Sequence, residues 1–190
     1  MTIRPVHIVI AALLAGLAGA TASLWLNRPA STPHHAHPAA AISMPEGVTV
    51  PALGDLLPAL TLTDLSGAEV RIPGDFAGRP LLINVWASWC APCIREMPEL
   101  ERFAREQGAQ GIQVLGIALD DRDAVRAFLD EIPVSYPIVV DLPGPADAGV
   151  KVGNPRGILP YTALVSADGR LLRQKIGPFA DGETGAWARE

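Results

Sequence analysis

Cysteine is almost missing from this chain: there are two in 190 residues, Cys90 and Cys93. A disulfide framework of the kind that staples small secreted domains needs at least two pairs, so this fold must rest on a hydrophobic core. A zinc site built on Cys90 and Cys93 would need two further ligands, and no second cysteine pair exists to supply them. Histidine is equally scarce, with four residues, His7, His34, His35 and His37, all near the N-terminus. Basic residues are scattered singly and the formal net charge is −5 at pH 7. That leaves no stripe of the kind phosphate backbones require, which argues against nucleic acid as a partner. Nor is there an internal repeat that would build a solenoid.

Long apolar runs occur once. Val6 to Leu26 is apolar or small apart from His7, Thr21 and Ser23. As a helix rising about 1.5 Å per residue, it reaches across a bilayer core about 30 Å thick. A cleavable signal peptide has a shorter core, although Ala20-Thr21-Ala22 has the form of a cleavage site. An uncleaved anchor over residues 1–26 is the favoured reading, with Trp25 and Asn27-Arg28 at the far interface. A soluble periplasmic protein released by cleavage is the alternative. Either exports the remainder, and the compartment outside a bacterial inner membrane is oxidising. Residues 27–48, rich in Pro, Ala and His, read as an extended linker. Imidazoles at His34, His35 and His37 suit copper, nickel or zinc, but the ordering entropy of such a tract favours a plain linker.

Residues 49–190 carry the pattern of one α/β domain. Leu60-Thr61-Leu62 and Val70-Arg71-Ile72, separated by Ser66-Gly67, predict a β-hairpin. Leu81 to Trp86 is a short apolar run rich in β-branched and aromatic residues, a buried strand. Ile94, Met97, Leu100, Phe103 and Ala104 then recur at helical spacing, with Pro98 inside the helix and Gly108 to Gly111 ending it. Ile112 to Leu119 predicts a second buried strand, parallel to the first across a right-handed crossover. A helix capped by Asp123 and ending near Glu131, an apolar run at Tyr136 to Val140 and a short helix around Ala146 to Val152 follow. Thr162 to Val165 and Leu171 to Ile176 predict a second hairpin, and a last helix opens near Asp181.

Both cysteines therefore stand where a strand gives way to a helix. Cys90 lies at the helix N-terminus, where free backbone N–H groups and the positive end of the macrodipole favour a thiolate. Cys93 is one turn on, close enough to form a disulfide. Cys90 is the expected nucleophile on a substrate disulfide and Cys93 the resolving thiol. A pair of buried structural cysteines is the bland alternative. Pro92 suits the first helical turn. Trp86 and Trp89 offer an apolar rim for a partner, with core packing an equal account of Trp86. Glu96, one turn beyond Cys93, is either a proton partner for its thiol or a solvated carboxylate on the helix surface.

Strand, Trp-Cys-x-x-Cys, helix, strand, then a proline before a hairpin is the order of a thioredoxin fold. The stretches Asn84 to Pro98, with Trp89-Cys90-Ala91-Pro92-Cys93 at their centre, and Gly157-Ile158-Leu159-Pro160-Tyr161-Thr162 carry the likeness in detail. Over about residues 50–180 the chain resembles the TlpA/ResA-like membrane-anchored thiol-disulfide oxidoreductases, which include the CcmG/DsbE proteins of cytochrome c maturation. The resemblance implies a thioredoxin-like mixed sheet with an added N-terminal hairpin, flanked by helices. It implies proton exchange between Glu96 and Cys93, and a cis Pro160 that leaves the Leu159 backbone free to pair with a client. It further implies a reducing role, from Pro92 before the second cysteine, on periplasmic proteins such as apocytochrome c or copper-site proteins. An inner-membrane thiol-disulfide partner would supply the electrons, and no cofactor beyond the Cys90–Cys93 pair is expected. Asn84 departs from thioredoxin itself, which has a buried Asp at the matching position. A thiol oxidase, a Cu(I) chaperone and a peroxiredoxin are the rivals, although a peroxiredoxin would place its reactive cysteine at the position of Cys93 in a Thr-x-x-Cys context.

Overall fold

The computed structural model describes residues 45–189. The expected anchor at residues 1–26, and the histidines of the 27–48 linker, lie outside them. Among the described residues no helix is long and apolar enough to cross a membrane.

Strands and helices follow in the order β1 (Leu60–Asp64), β2 (Glu69–Ile72), β3 (Leu81–Trp86), α1 (Ala91–Gln107), β4 (Gln113–Leu119), α2 (Arg122–Glu131), β5 (Ile138–Asp141), α3 (Ala148–Lys151), β6 (Tyr161–Val165), β7 (Leu171–Ile176) and α4 (Glu183–Trp187). They form one seven-stranded mixed sheet in the order β2-β1-β5-β4-β3-β6-β7. The expected β3-α1-β4 crossover yields a parallel pair, with Leu81 opposite Gln113 and Trp86 opposite Ala118. Both predicted hairpins are present, β1 with β2 and β6 with β7. The first joins the sheet through an antiparallel pairing of β1 with β5.

All six residues of β3 are buried, because the strand is central and both its faces are covered. Strand alternation assigns them to two cores. Leu81, Ile83 and Val85 pack with Leu115, Ile117, Ala163 and Val165 on one face. Leu82 and Trp86 pack with Met97, Leu100 and Phe103 of α1 on the other. Full burial of each such side chain stabilises the fold by about 1.5–3 kcal/mol. Asn84 has the parity of Leu82 and Trp86, so it points at α1 from within this apolar layer.

Three sequence expectations change. The buried stripe of α1 runs through Cys93, Glu96, Met97, Leu100 and Phe103, while Ile94 is only half-buried. The cap of α2 is Asp121, whose carboxylate accepts from the N–H groups of Asp123 and Ala124, so the helix starts one residue before the expected cap at Asp123. Trp86 is fully buried beside Phe128, with ring centroids 5.2 Å apart, and forms no rim.

Candidate active site

Cys90 ends the loop that leaves β3 and serves as the N-cap of α1. Its sulfur accepts the Cys93 N–H at 3.3 Å. The role an Asp or Ser oxygen usually fills at a helix start is thus given to the sulfur itself, which places it among the unpaired N–H groups that stabilise a thiolate. Cys90 and Cys93 are joined in a disulfide. Cys93 is fully buried whereas Cys90 keeps 6% of its surface exposed, so an incoming thiol or disulfide meets Cys90 first. Trp89, immediately before it, is 66% exposed. The loop carrying both is tied down by the residue that follows β4: Ser88 donates its N–H and its hydroxyl to Asp120 Oδ2, at 3.0 and 2.6 Å.

Glu96 is 1% exposed, which rejects the surface-carboxylate alternative. Being three residues beyond Cys93 on one helix puts the two side chains on a common face, with Cβ atoms about 5–6 Å apart. Glu96 Oε1 accepts from Asn84 Nδ2 at 2.8 Å and Oε2 from the Phe179 N–H at 2.9 Å. Burial nevertheless pushes its carboxyl up to about 7, outweighing those two bonds and the attraction of Lys175, which is itself partly offset by Glu183. Lys175 and Glu183 are paired at 2.7 Å. A carboxyl that titrates near neutrality is suited to take and return a proton.

Pro160 is buried just ahead of β6, and the Leu159–Pro160 peptide is cis, as the resemblance implied. Among the described residues neither the N–H nor the C=O of Leu159 has a backbone hydrogen-bond partner. Ile158 beside it is 41% exposed. Strand pairing of Val85 with Tyr161 brings this segment to the same end of the sheet as the cysteines.

A dithiol at a helix N-terminus, on a thioredoxin-like sheet with an added hairpin, narrows the family to a few. The Redoxin family model matches residues 52–187. The chain belongs to the Redoxin family. Within it, the redoxin is 32% identical over 124 residues to the thiol-disulfide oxidoreductase ResA of Geobacillus kaustophilus, covering 65% of this chain and 68% of that one. It is 28% identical over 128 residues to ResA of Bacillus thuringiensis, covering 66% and 70%. Among solved structures, a thiol-disulfide oxidoreductase from Bacteroides fragilis superposes with a TM-score of 0.60 at 29% identity, over 71% of this chain and 98% of the other. A secreted thiol-disulfide isomerase from Corynebacterium glutamicum does so with a TM-score of 0.63 at 25% identity, over 77% and 93%. The redoxin is a TlpA/ResA-like, thioredoxin-like thiol-disulfide oxidoreductase.

Sequence reasoning missed three participants. Phe179 contributes a backbone N–H, which leaves no trace in a side-chain pattern. Asn84 stood out as a departure, but its partners Glu96 and Thr162 are brought to it only by the tertiary fold. Asp120 lies just past the strand that ends at Leu119, and no local pattern marks it.

Proposed function

We propose that this redoxin is an extracytoplasmic reductant of client-protein disulfides, held at the inner membrane by residues 1–26 and recharged there by a membrane thiol-disulfide donor. The observation that carries the reading is the buried carboxyl of Glu96 one turn from Cys93. An anion there disfavours a second buried charge on Cys93 and so keeps that sulfur a thiol. Cys90 alone is then the attacking thiolate of the reduced protein. It displaces one sulfur of the client disulfide, forming a mixed disulfide and releasing one client thiolate. Glu96 next takes the Cys93 proton, and the Cys93 sulfur attacks Cys90 Sγ. The Cys90–Cys93 bond forms, the second client thiolate leaves, and two electrons have passed to the client. Trp89 and the backbone of Leu159 next to Pro160 are the contact surface for an extended client segment. The cysteines of apocytochrome c or of a copper site are the client class that the resemblance favours.

Capture of mixed disulfides on Cys90 in cells expressing Cys93→Ser tests this directly. Exported proteins with a reducible cysteine pair are the expected catch. Failure to capture any, while the wild-type pair cycles between redox states, overturns the resolving scheme. A reduction potential near thioredoxin's, about −270 mV, supports the reducing direction, and one near DsbA's, about −120 mV, reverses it.

A further inference from the structure

Asn84 lies fully buried on β3, directly across from Thr162 on β6 and facing Glu96 on α1. Its amide nitrogen carries two hydrogens and both are committed, one to Glu96 Oε1 at 2.8 Å and one to Thr162 Oγ1 at 3.2 Å. Its amide oxygen is equally buried and has no hydrogen-bond partner. Buried orphan acceptors are costly and rare, so one beside a titrating group calls for a reason.

The two oxygens of Glu96 meet different kinds of donor. Oε2 faces the Phe179 N–H, a backbone group that can never accept. Oε1 faces a side-chain amide whose donor and acceptor ends exchange by a half-turn. Thr162 completes the set, since a hydroxyl both donates and accepts. A proton arriving at Glu96 is therefore accommodated on Oε1, where Asn84 can turn its oxygen to receive it while the Thr162 hydroxyl donates to that same oxygen.

We propose that Asn84 is a positioning residue that follows the proton on Glu96, donating to the carboxylate and, after rotating, accepting from the carboxylic acid. The inference rests on Glu96 being the proton acceptor for Cys93 in the proposed function. In that step the Cys93 S–H proton moves to Glu96 Oε1 as the Cys93 sulfur attacks Cys90 Sγ. The bond from Cys90 Sγ to the client sulfur breaks, and its electron pair leaves with the client thiolate. The rotation keeps Oε1 hydrogen-bonded before and after the transfer. Around Glu96 the ionisable neighbours in the oxidised protein are Lys175 on β7, Glu183 on α4 and Tyr136 ahead of β5, and reduction adds the Cys93 thiol three residues back on its own helix. Among the described residues, Asn84 is the hydrogen-bond partner of Glu96 able to change from donor to acceptor.

Nuclear magnetic resonance on the oxidised full chain tests this, following the Asn84 side-chain amide and the Glu96 carboxyl carbon as pH is varied. Shifts with a common midpoint are expected, together with an Asn84 signal that no longer follows pH in Glu96→Gln. In Asn84→Leu, which removes the carboxylate's donor without replacing it, the Glu96 midpoint rises by about one pH unit and the midpoint of the Cys93-dependent exchange rate rises with it. An Asn84 amide that stays fixed while Glu96 titrates overturns the inference and leaves the proposed role of Glu96 standing. A pH profile of exchange unaltered in Glu96→Gln instead removes Glu96 from the reaction, and the catalytic part of the inference with it.

Discussion

Replacing Glu96 by Gln should remove one pH-dependent part of this protein's stability. The side chain keeps its shape and still offers an oxygen to the Phe179 N–H, but it can no longer ionise. In the folded protein burial lifts the carboxyl from its ordinary value of 4.5 to about 7. A raised carboxyl makes the folded state the better proton binder between those two values. Its contribution is therefore fully present below about pH 4.5 and is lost as pH rises through about 7. The loss amounts to about 3 kcal/mol, a sizeable part of the 5–15 kcal/mol typical of a domain. Urea unfolding of the oxidised wild type and of Glu96→Gln, at steps between pH 4.5 and 8, measures it. The difference between the two cancels every other titrating group, the histidines included. Wild type should lose about 3 kcal/mol relative to the variant across that range, with unchanged m-values. A difference constant to within about 0.5 kcal/mol would refute the claim that burial without a paired cation governs this carboxyl.

Trp89→Ala should leave unfolding free energy within about 0.5 kcal/mol of wild type, because the ring is 66% exposed, while slowing exchange with a protein disulfide more than with a small one. Equal slowing of both would remove Trp89 from the client surface. Asp120→Ala removes the acceptor of two Ser88 hydrogen bonds. It should cost about 1–2 kcal/mol and speed amide exchange over residues 87–90, with Asp120→Asn restoring most of the loss. Unaltered exchange in that loop would show that the tie to Asp120 does not hold it.

The legible parts of this molecule are those written in local periodicity. Six consecutive strand residues from Leu81, then a helical stripe, place Cys90 at a helix N-terminus without any tertiary information. The burial of Glu96 is legible too, since it falls between Cys93 and Leu100 on one face, although a stripe that begins at Ile94 passes it by. Its partners were not legible. Asn84 precedes Glu96 by 12 positions and Phe179 follows it by 83, so only the assembled sheet brings them together. An aromatic residue next to a reactive motif suits a rim and a core equally, and for Trp86 strand parity rather than composition decides for the core.

Glu96 and Glu99 show how little sequence separates two carboxylates of opposite behaviour. Both are buried, both lie on α1, and both accept a backbone N–H from the C-terminal segment, Glu96 from Phe179 and Glu99 from Thr184. Burial pushes both upward. At Glu99 the Arg102 guanidinium grips the carboxylate at 2.7 and 2.8 Å, and with the Gly182 and Thr184 donors it holds the group below its ordinary value. Glu96 has two neutral donors and no such grip, since Lys175, the cation near it, is already paired with Glu183. The same clamp that fastens the end of the chain over α1 thus contains one group locked in its charged form and one left free to titrate. The free one is the carboxyl on the Cys93 face of the helix. Burial and the withholding of a paired cation together, rather than any special residue type, give this dithiol site a group that can exchange a proton near neutral pH.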